Sequence, residues 1–507
     1  MANLFTGKIL PLKGRRQARR ELKAIGESPA LVAYLTMALK INPNLERAVS
    51  FAAEQLDGDM GRDLRAVICR GHLRLHSDAD EGLRRFSKRW RKSCPELDRS
   101  LYLVRSSVNE RNEEARKRTL DRALQLALQG ARERMRRFAS GIYLPTLMIY
   151  SMGVLLPLVL VVILPVLSVI NVQVGLAQIF FLYCIMLPLM VYAISSEVLS
   201  RRPASLPPPK VPVKENRLRT FAVAAVIAAI LPTMNAMLKF PSDIGALTIL
   251  WGLALGVSSY LYLTSASALK RREEIKEMEA ELCDALVQLG NRVGEGRPAE
   301  EALEQVTETM QGSKLGAVMG NASTNIRLGG MGLRAALFDE ARGALAAIYS
   351  STIRGVFKML VSIIERSTRA AGEALLTMGR HLGELKEVEA EIRRSMGEVV
   401  TSMRSVALFF APLVTSIAAR MQGALSSKTL SIDFLGKMEV SPSDFLFVLG
   451  AYIIILAAIL TNYSVEIEIG DDRLAKRVAI AIAMPIALFV FTAGAVLGGQ
   501  MLSSILG

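Results

Sequence analysis

Residues 142–170 read IYLPTLMIYSMGVLLPLVLVVILPVLSVI, without an Asp, Glu, Lys or Arg. A helix needs roughly 20 apolar residues to cross a bilayer, and this stretch exceeds that length. Pro145, Pro157 and Pro165 lie inside it. In a membrane such prolines are tolerated where neighbouring helices satisfy the carbonyls they free. Working outward, six more stretches read as apolar spans: 174–195, 220–238, 244–266, 405–424, 445–463 and 478–500. The chain is therefore expected to be all-α and polytopic, with about seven transmembrane helices. The spans are expected to hold no charged machinery. Ion paths, proton relays and buried catalysis use ionisable groups in the membrane, so that expectation weighs against all three.

Between and before the spans lie two charged blocks. The 507 residues are 51% hydrophobic, an average that mixes insoluble spans with blocks that read as soluble helix. The net charge is +15, and the excess is uneven. Residues 1–140 carry roughly 30 Lys and Arg against roughly 17 Asp and Glu, whereas 268–403 is near balance. A basic block beside a membrane can face anionic lipid, nucleic acid or an acidic protein. Cys69, Cys94, Cys184 and Cys283 are scattered, which fits a reducing compartment rather than a disulfide framework. The N-terminal segment MANLFTGKILPLKGRRQARR is too polar for a secretory signal.

Lys and Arg also set the orientation. Arg132, Arg134, Arg136 and Arg137 precede the first span, and Arg201, Arg202, Lys210, Lys214, Arg217 and Arg219 follow the second. Lys270, Arg271 and Arg272 follow the fourth, Arg404 precedes the fifth, and Arg473, Lys476 and Arg477 precede the seventh. The opposite loops are assigned Lys239, Lys428 and Lys437. The positive-inside rule then puts both blocks in the cytoplasm and the C-terminus outside, for a multi-pass protein of the cytoplasmic membrane. The domains expected are a basic segment 1–27, a first cytoplasmic helical domain 28–141, spans one and two in 142–195, and a stiff Pro-rich linker 196–219. Spans three and four follow in 220–266, then a second helical domain 267–404, then spans five to seven in 405–500 with an inside loop 464–477.

Within the blocks the apolar period is helical. Leu31, Leu35 and Leu39 share one face, as do Leu282, Ala285, Leu286, Leu289 and Val293. Both helices run into a turn and restart, at INPNLERAV (41–49) and GEGRPAEEAL (294–303). Pro298 suits a first helical turn, with Glu300 and Glu301 near the positive end. Aligning Leu35 with Leu289 aligns Leu39 with Val293 and Ala48 with Ala302, and Gly82-Leu83 then matches Gly332-Leu333 after a gap. Pro145 and Pro412 are read as equivalent prolines of the following spans. The pattern is that of an ancient duplication.

Two blocks of "helix, Gly/Pro turn, helix, then G-L-R" resemble the type II secretion F domain. This is the module of platform proteins in type II secretion and type IV pilus machines. The match rests on GEGRPAEEAL (294–303), with Gly294, Gly296, Pro298, Ala302 and Leu303, on LGGMGLRAAL (328–337), with Gly332 and Leu333, and on APLV (411–414). NPNLERAV (42–49) and DEGLRRF (80–86) are the counterparts in the first block, which is more divergent and more basic. Two such modules with seven spans are similar to the archaeal branch, the archaellum and archaeal pilus platforms. The loop VEIEIGDDRLAKR (465–477) resembles the short acidic-glycine loop before the last span of that branch.

The resemblance implies two cytoplasmic F-like helical bundles, no enzymatic activity and no cofactor. It implies a cytoplasmic hexameric secretion or pilus ATPase as partner, pilin or archaellin subunits above, and a homodimer. Candidate ATPase-docking residues are Arg15, Arg16, Arg19 and Arg20 in one run and Arg84, Arg85, Lys88, Arg89, Arg91 and Lys92 in another. Lipid headgroups are the alternative partner of these runs. Nucleic acid is not expected, because repeated aromatic platforms are missing. Glu466, Glu468, Gly470, Asp471, Asp472 and Arg473 form a candidate contact loop.

The other motifs have plainer readings. Gly294-Glu-Gly296-Arg-Pro-Ala299 has the shape of a dinucleotide fingerprint, but a helix precedes it where a strand is needed. GALSSKT (423–429) lacks the second glycine of a phosphate loop. Cys69, His72 and His76 read as a helix face rather than a metal site, and His381 as a solvated residue. A transporter or channel is the competing function, and a membrane enzyme the third; both would need polar or charged groups within the spans.

Overall fold

The computed structural model describes residues 21, 24–56, 58–72, 78–169, 174–202, 217–238, 241–364, 368–426 and 440–506, which are mostly helical without a strand among them. The basic run at residues 15–20 and most of the Pro-rich linker lie outside the described residues. In chain order the helices are α1 (Ser28–Ile41), α2 (Leu45–Gln55), α3 (Asp59–His72), α4 (Ala79–Trp90), α5 (Pro95–Ser107), α6 (Glu113–Tyr150) and α7 (Leu156–Val169). Then come α8 (Leu176–Phe180), α9 (Leu187–Ser200), α10 (Arg217–Leu238), α11 (Ser242–Leu263), α12 (Ala266–Gly294), α13 (Ala299–Thr309) and α14 (Lys314–Arg327). The chain finishes with α15 (Leu333–Phe338), α16 (Ser351–Ile364), α17 (Thr368–Ser405), α18 (Ala411–Ser426), α19 (Pro442–Glu468) and α20 (Arg473–Leu506).

The chain divides into two compact units. One holds the charged blocks, residues up to 138 and 270–392, and the other holds the apolar segments. In the charged unit the two blocks share one core. Leu31, Leu35 and Leu39 of α1 belong to the same buried cluster as Leu286, Leu289 and Val293 of α12 and Phe357 of α16. Burying each such side chain is worth about 1.5–3 kcal/mol, so a common core ties the blocks more firmly than any surface ion pair.

The duplication is legible in helix lengths. α2 and α13 have 11 residues each, α3 and α14 have 14 each, and α6 and α17 have 38 each. Each 38-residue helix continues into a five-residue π-turn, Ser151–Leu155 after α6 and Val406–Phe410 after α17. A π-turn is one residue too many for the α repeat, and such turns cluster at functional positions. This corrects the proline alignment. Pro157 is the second residue after one π-turn and Pro412 the second after the other, whereas Pro145 lies inside α6. Pro157, not Pro145, is the counterpart of Pro412.

Seven helices are long and apolar enough to cross a membrane: Glu113–Leu164, Leu176–Ser200, Leu218–Leu238, Ser242–Leu263, Ala371–Gln422, Pro442–Glu468 and Arg473–Gln500. This is the pattern of a multi-pass membrane protein. The first and fifth are not separate spans; they are the ends of helices that begin in the charged blocks.

Within the apolar unit α19 is the most enclosed helix, whereas α10 points Phe221, Val226 and Met237 outward. Freed carbonyls find partners there. Pro157 has no N–H for the carbonyl of Gly153, and Tyr452 of α19 donates its hydroxyl to that oxygen at 2.5 Å. Tyr183 donates to the carbonyl of Pro157 at 2.8 Å and packs edge-on against Tyr452. Pro232 likewise frees the carbonyl of Ala228, and Gly252 of α11 approaches it so closely that a Cβ would sit 2.5 Å from that oxygen. Gly252 and Gly256 form a small-residue stripe that lets α10 and α11 touch through their backbones.

Candidate interaction surfaces

The basic run lies on α4 and the turn after it. Asp78 caps the helix by accepting from the Ala79 N–H at 2.6 Å, and Asp80 and Glu81 occupy the first turn. Lys88 and Arg89 stand in the last turn, where a helix dipole favours cations. Leu83, Phe86 and Trp90 are buried, and Arg84, Arg85, Lys88, Arg89, Arg91 and Lys92 are all exposed. The six differ in their partners. Arg85 pairs with Glu81 at 2.6 Å, Arg89 with Asp63 at 3.0 Å and Arg91 with Asp98 at 3.3 Å. Arg89 also lies 5.9 Å from the centre of the Trp90 ring. Arg84, Lys88 and Lys92 make no ion pair among the described residues.

The family-like motif residues have structural jobs. Gly296 takes φ +91° and ends α12, with its N–H on the Val293 carbonyl at 3.1 Å, so the GxGxxA shape is a helix-ending turn. Pro298 sits at the N-cap of α13, one place before the first turn, and Glu300 and Glu301 follow it. Ala302 and Leu303 are buried in the shared core. Gly332 is the N-cap of α15, and Leu333 packs into the core behind it.

In the apolar unit the acidic-glycine loop is a tight hairpin between α19 and α20. Gly470 takes φ +100° and donates its N–H to the Glu466 carbonyl at 3.1 Å, closing α19. Asp472 starts α20 by accepting from the N–H groups of Leu474 at 3.0 Å and Ala475 at 3.3 Å. Glu466 and Asp472 are buried. Lys476 donates to Glu466 at 2.5 Å and to Asp471 at 3.0 Å. Glu468 accepts from Arg404 at 2.5 Å. Arg202 is buried and donates to the carbonyls of Ile467 at 3.0 Å and Glu468 at 3.5 Å, capping α19. Burial pulls the Arg202 pKa down to about 10, against the pull of Glu466. Much of the loop's charge is thus spent inside the unit; Arg473 is exposed.

Two expectations fail. Arg420 lies inside the fifth span, so the spans are not free of charge. Its Nε donates to the Ala495 carbonyl at 2.8 Å and its guanidinium pairs with Asp243 at 3.0 Å, bolting α18 to α20 and to the start of α11. His381 is not solvated. It is buried, and its Nε2 lies 3.1 Å from Lys40 Nζ, which also donates to Asp121 at 2.5 Å. Among the described residues no group of three or more His, Cys, Asp or Glu could hold a metal. The His76 end of the Cys69–His72–His76 row lies outside those residues, as does the end of GALSSKT.

Burial, then the charge of Lys40, pushes the His381 pKa down to about 4, with Asp121 opposing and Arg380 adding to the shift. The folded value lies below the ordinary 6.5, so the unfolded chain takes up the proton first as pH falls. Stability from this site is complete above pH 6.5 and is lost down to pH 4, by about 3 kcal/mol. Glu27 has the opposite sign. Burial raises it to about 7, so its contribution is present below pH 4.5 and lost as pH rises through 7. The two overlap, so the comparison is between the parent chain and His381→Gln. Chemical denaturation at pH 7, 5.5 and 4 should show the parent losing about 3 kcal/mol more than the variant. Parallel profiles would show that the imidazole is not held neutral.

No protein-family model, curated protein or solved structure matches this chain.

Proposed function

We propose that this chain is a non-enzymatic platform of an archaellum or type IV pilus-like machine in the cytoplasmic membrane. It couples a cytoplasmic hexameric secretion ATPase to filament assembly or rotation. The observation that carries this reading is the matched pair α6 and α17. Each is 38 residues long, each begins in a charged block, and each continues through a π-turn into an apolar span. A duplicated shaft of this kind suits an element that receives displacement at a water-exposed bundle and passes it on by packing. The charged blocks are the cytoplasmic modules, the basic runs dock the motor, and pilin or archaellin subunits meet the membrane part. The Arg420–Asp243 pair fits a passive mount, because its charges are used on each other and on a backbone carbonyl.

The test is binding of the cognate motor ATPase to the full chain in nanodiscs. Binding should weaken with added salt, since exposed charge pairs are screened. Reversing the charges in 15–20 and 84–92 together should reduce affinity at least about tenfold. Unchanged binding would remove the docking role. ATP hydrolysis by the purified chain alone, or substrate flux through it in liposomes, would sink the platform reading.

A further inference from the structure

Arg84, Lys88 and Lys92 recur every fourth residue, so they form one row along α4 and its closing turn, where Arg91 keeps helical dihedrals. The row spans about 12 Å at 1.5 Å per residue. Like charges at this spacing destabilise a helix. The neighbouring cations Arg85, Arg89 and Arg91 are each offset by a carboxylate of the same unit, but this row makes no ion pair among the described residues. Nor does the fold need it. The counterpart α15 has only 6 residues where α4 has 12, yet it buries Leu333, Ala336 and Leu337 much as α4 buries Leu83, Phe86 and Trp90. One repeat carries a cationic row that the other does without.

The occupant follows from what surrounds the row. The apolar side of α4 is consumed by the core, so no side chain is left to insert into a bilayer surface. Phe86 and Trp90 are buried and offer no stacking face to bases. Glu81, Asp63 and Asp98 neutralise Arg85, Arg89 and Arg91, so the charge left over is a narrow row and not a broad positive face for a continuous negative surface. Discrete carboxylates at the same spacing can meet such a row one by one.

We propose that Arg84, Lys88 and Lys92 are a docking ridge for a partner protein helix bearing carboxylates at the same four-residue spacing. This narrows the docking role above to half of the run, and rests on that reading for the partner being the motor ATPase.

The probe is a labelled alanine-based helical peptide with Glu at every fourth position, against one of equal charge with its Glu residues in a block. Each is titrated onto the full chain in nanodiscs. The parent should prefer the spaced peptide, and Arg84→Gln/Lys88→Gln/Lys92→Gln should weaken it about tenfold. Arg85→Gln/Arg89→Gln/Arg91→Gln should change it less than about twofold. Equal affinity for the two peptides, equal losses in the two variants, or displacement of the spaced peptide by phosphatidylglycerol vesicles or single-stranded RNA would overturn the ridge. The motor ATPase run in parallel separates the two readings. Spaced peptide bound with no ATPase bound supports the ridge and sinks the platform; ATPase bound alike by both variants overturns the ridge as its dock.

Discussion

Replacing Gly372 with Ala should cost about 3 kcal/mol, near the upper end for overpacking, whereas the same change at Gly294, its partner across the crossing, should cost nothing. A Cβ on Gly372 would lie 2.6 Å from the Gly294 Cα and amide nitrogen and 2.9 Å from the Gly290 carbonyl. These are backbone atoms, so no rotamer change relieves the contact and α12 and α17 must move apart. Gly379, two turns further along α17, meets the Val287 side chain at 2.9 Å and the Cys283 carbonyl at 3.1 Å. The two helices therefore touch along a seam and cannot pivot off one point.

A Cβ on Gly294 meets nothing within 4 Å, and the residue ends α12 without a positive φ. Ala there reduces the freedom of the unfolded chain and should be neutral or stabilising by about 0.5 kcal/mol. Thermal unfolding of the detergent-solubilised chain and its two variants decides the matter. Equal midpoints for Gly372→Ala and the parent would mean that the seam is not as close as described. A loss at Gly294 would mean that the motif glycine is needed for its conformation.

That contrast shows where sequence reading reaches. GEGRP announced a turn, and the turn is there, because glycine at a left-handed position and proline at a helix start are local requirements. VEIEIGDDR was legible in the same way: Gly470 closes one helix and Asp472 caps the next. Hydropathy marked the seven apolar helices, because the length needed to cross a bilayer does not depend on context. Gly372 sent no signal, since its role depends on a helix some eighty residues earlier. The π-turns were equally silent. They shift a hydrogen-bond register without a residue signature, which is why Pro145 seemed to match Pro412 when Pro157 does. His381 looked solvated because Lys40 and Asp121 lie on distant helices. A single charge such as Arg420 is diluted in a span-length window, and its partner Asp243 is 177 residues away. In the candidate surfaces, sequence gave the six exposed cations of the α4 run but could not divide the paired from the unpaired.

Removing the Glu466 carboxylate should destabilise the α19–α20 hairpin by about 3 kcal/mol, at the lower end for breaking a buried ion pair. Glu466 is 6% exposed, and Lys476 is part-buried with Asp471 as its second partner. Arg202 is buried close by and feels the same carboxylate. Glu466→Gln keeps the shape but removes the buried carboxylate that Lys476 pairs with and Arg202 feels, leaving Asp471 as the carboxylate that still pairs with Lys476 among the described residues. Asp471, partly solvated, can compensate only in part, which sets the expected loss at the lower end. Lys476→Met in the same chain removes the cation that has lost its buried partner, so the double variant should recover much of the stability lost in Glu466→Gln. That non-additivity marks direct coupling. Denaturant midpoints of the parent, both single variants and the double variant close the cycle. Additive losses would show that the pair is not coupled. An unchanged midpoint for Glu466→Gln would show that the hairpin is held by Gly470, Asp472 and the apolar faces of α19 and α20 alone. Affinity for the motor ATPase proposed above, measured on the same four proteins, tests whether the loop is a contact site. A hairpin that only braces the span should transmit the stability loss without changing affinity at temperatures where all four are folded. A hairpin that touches the motor should lose affinity in Glu466→Gln even there, because Lys476, no longer shared with Glu466, would draw Asp471 inward and away from the partner.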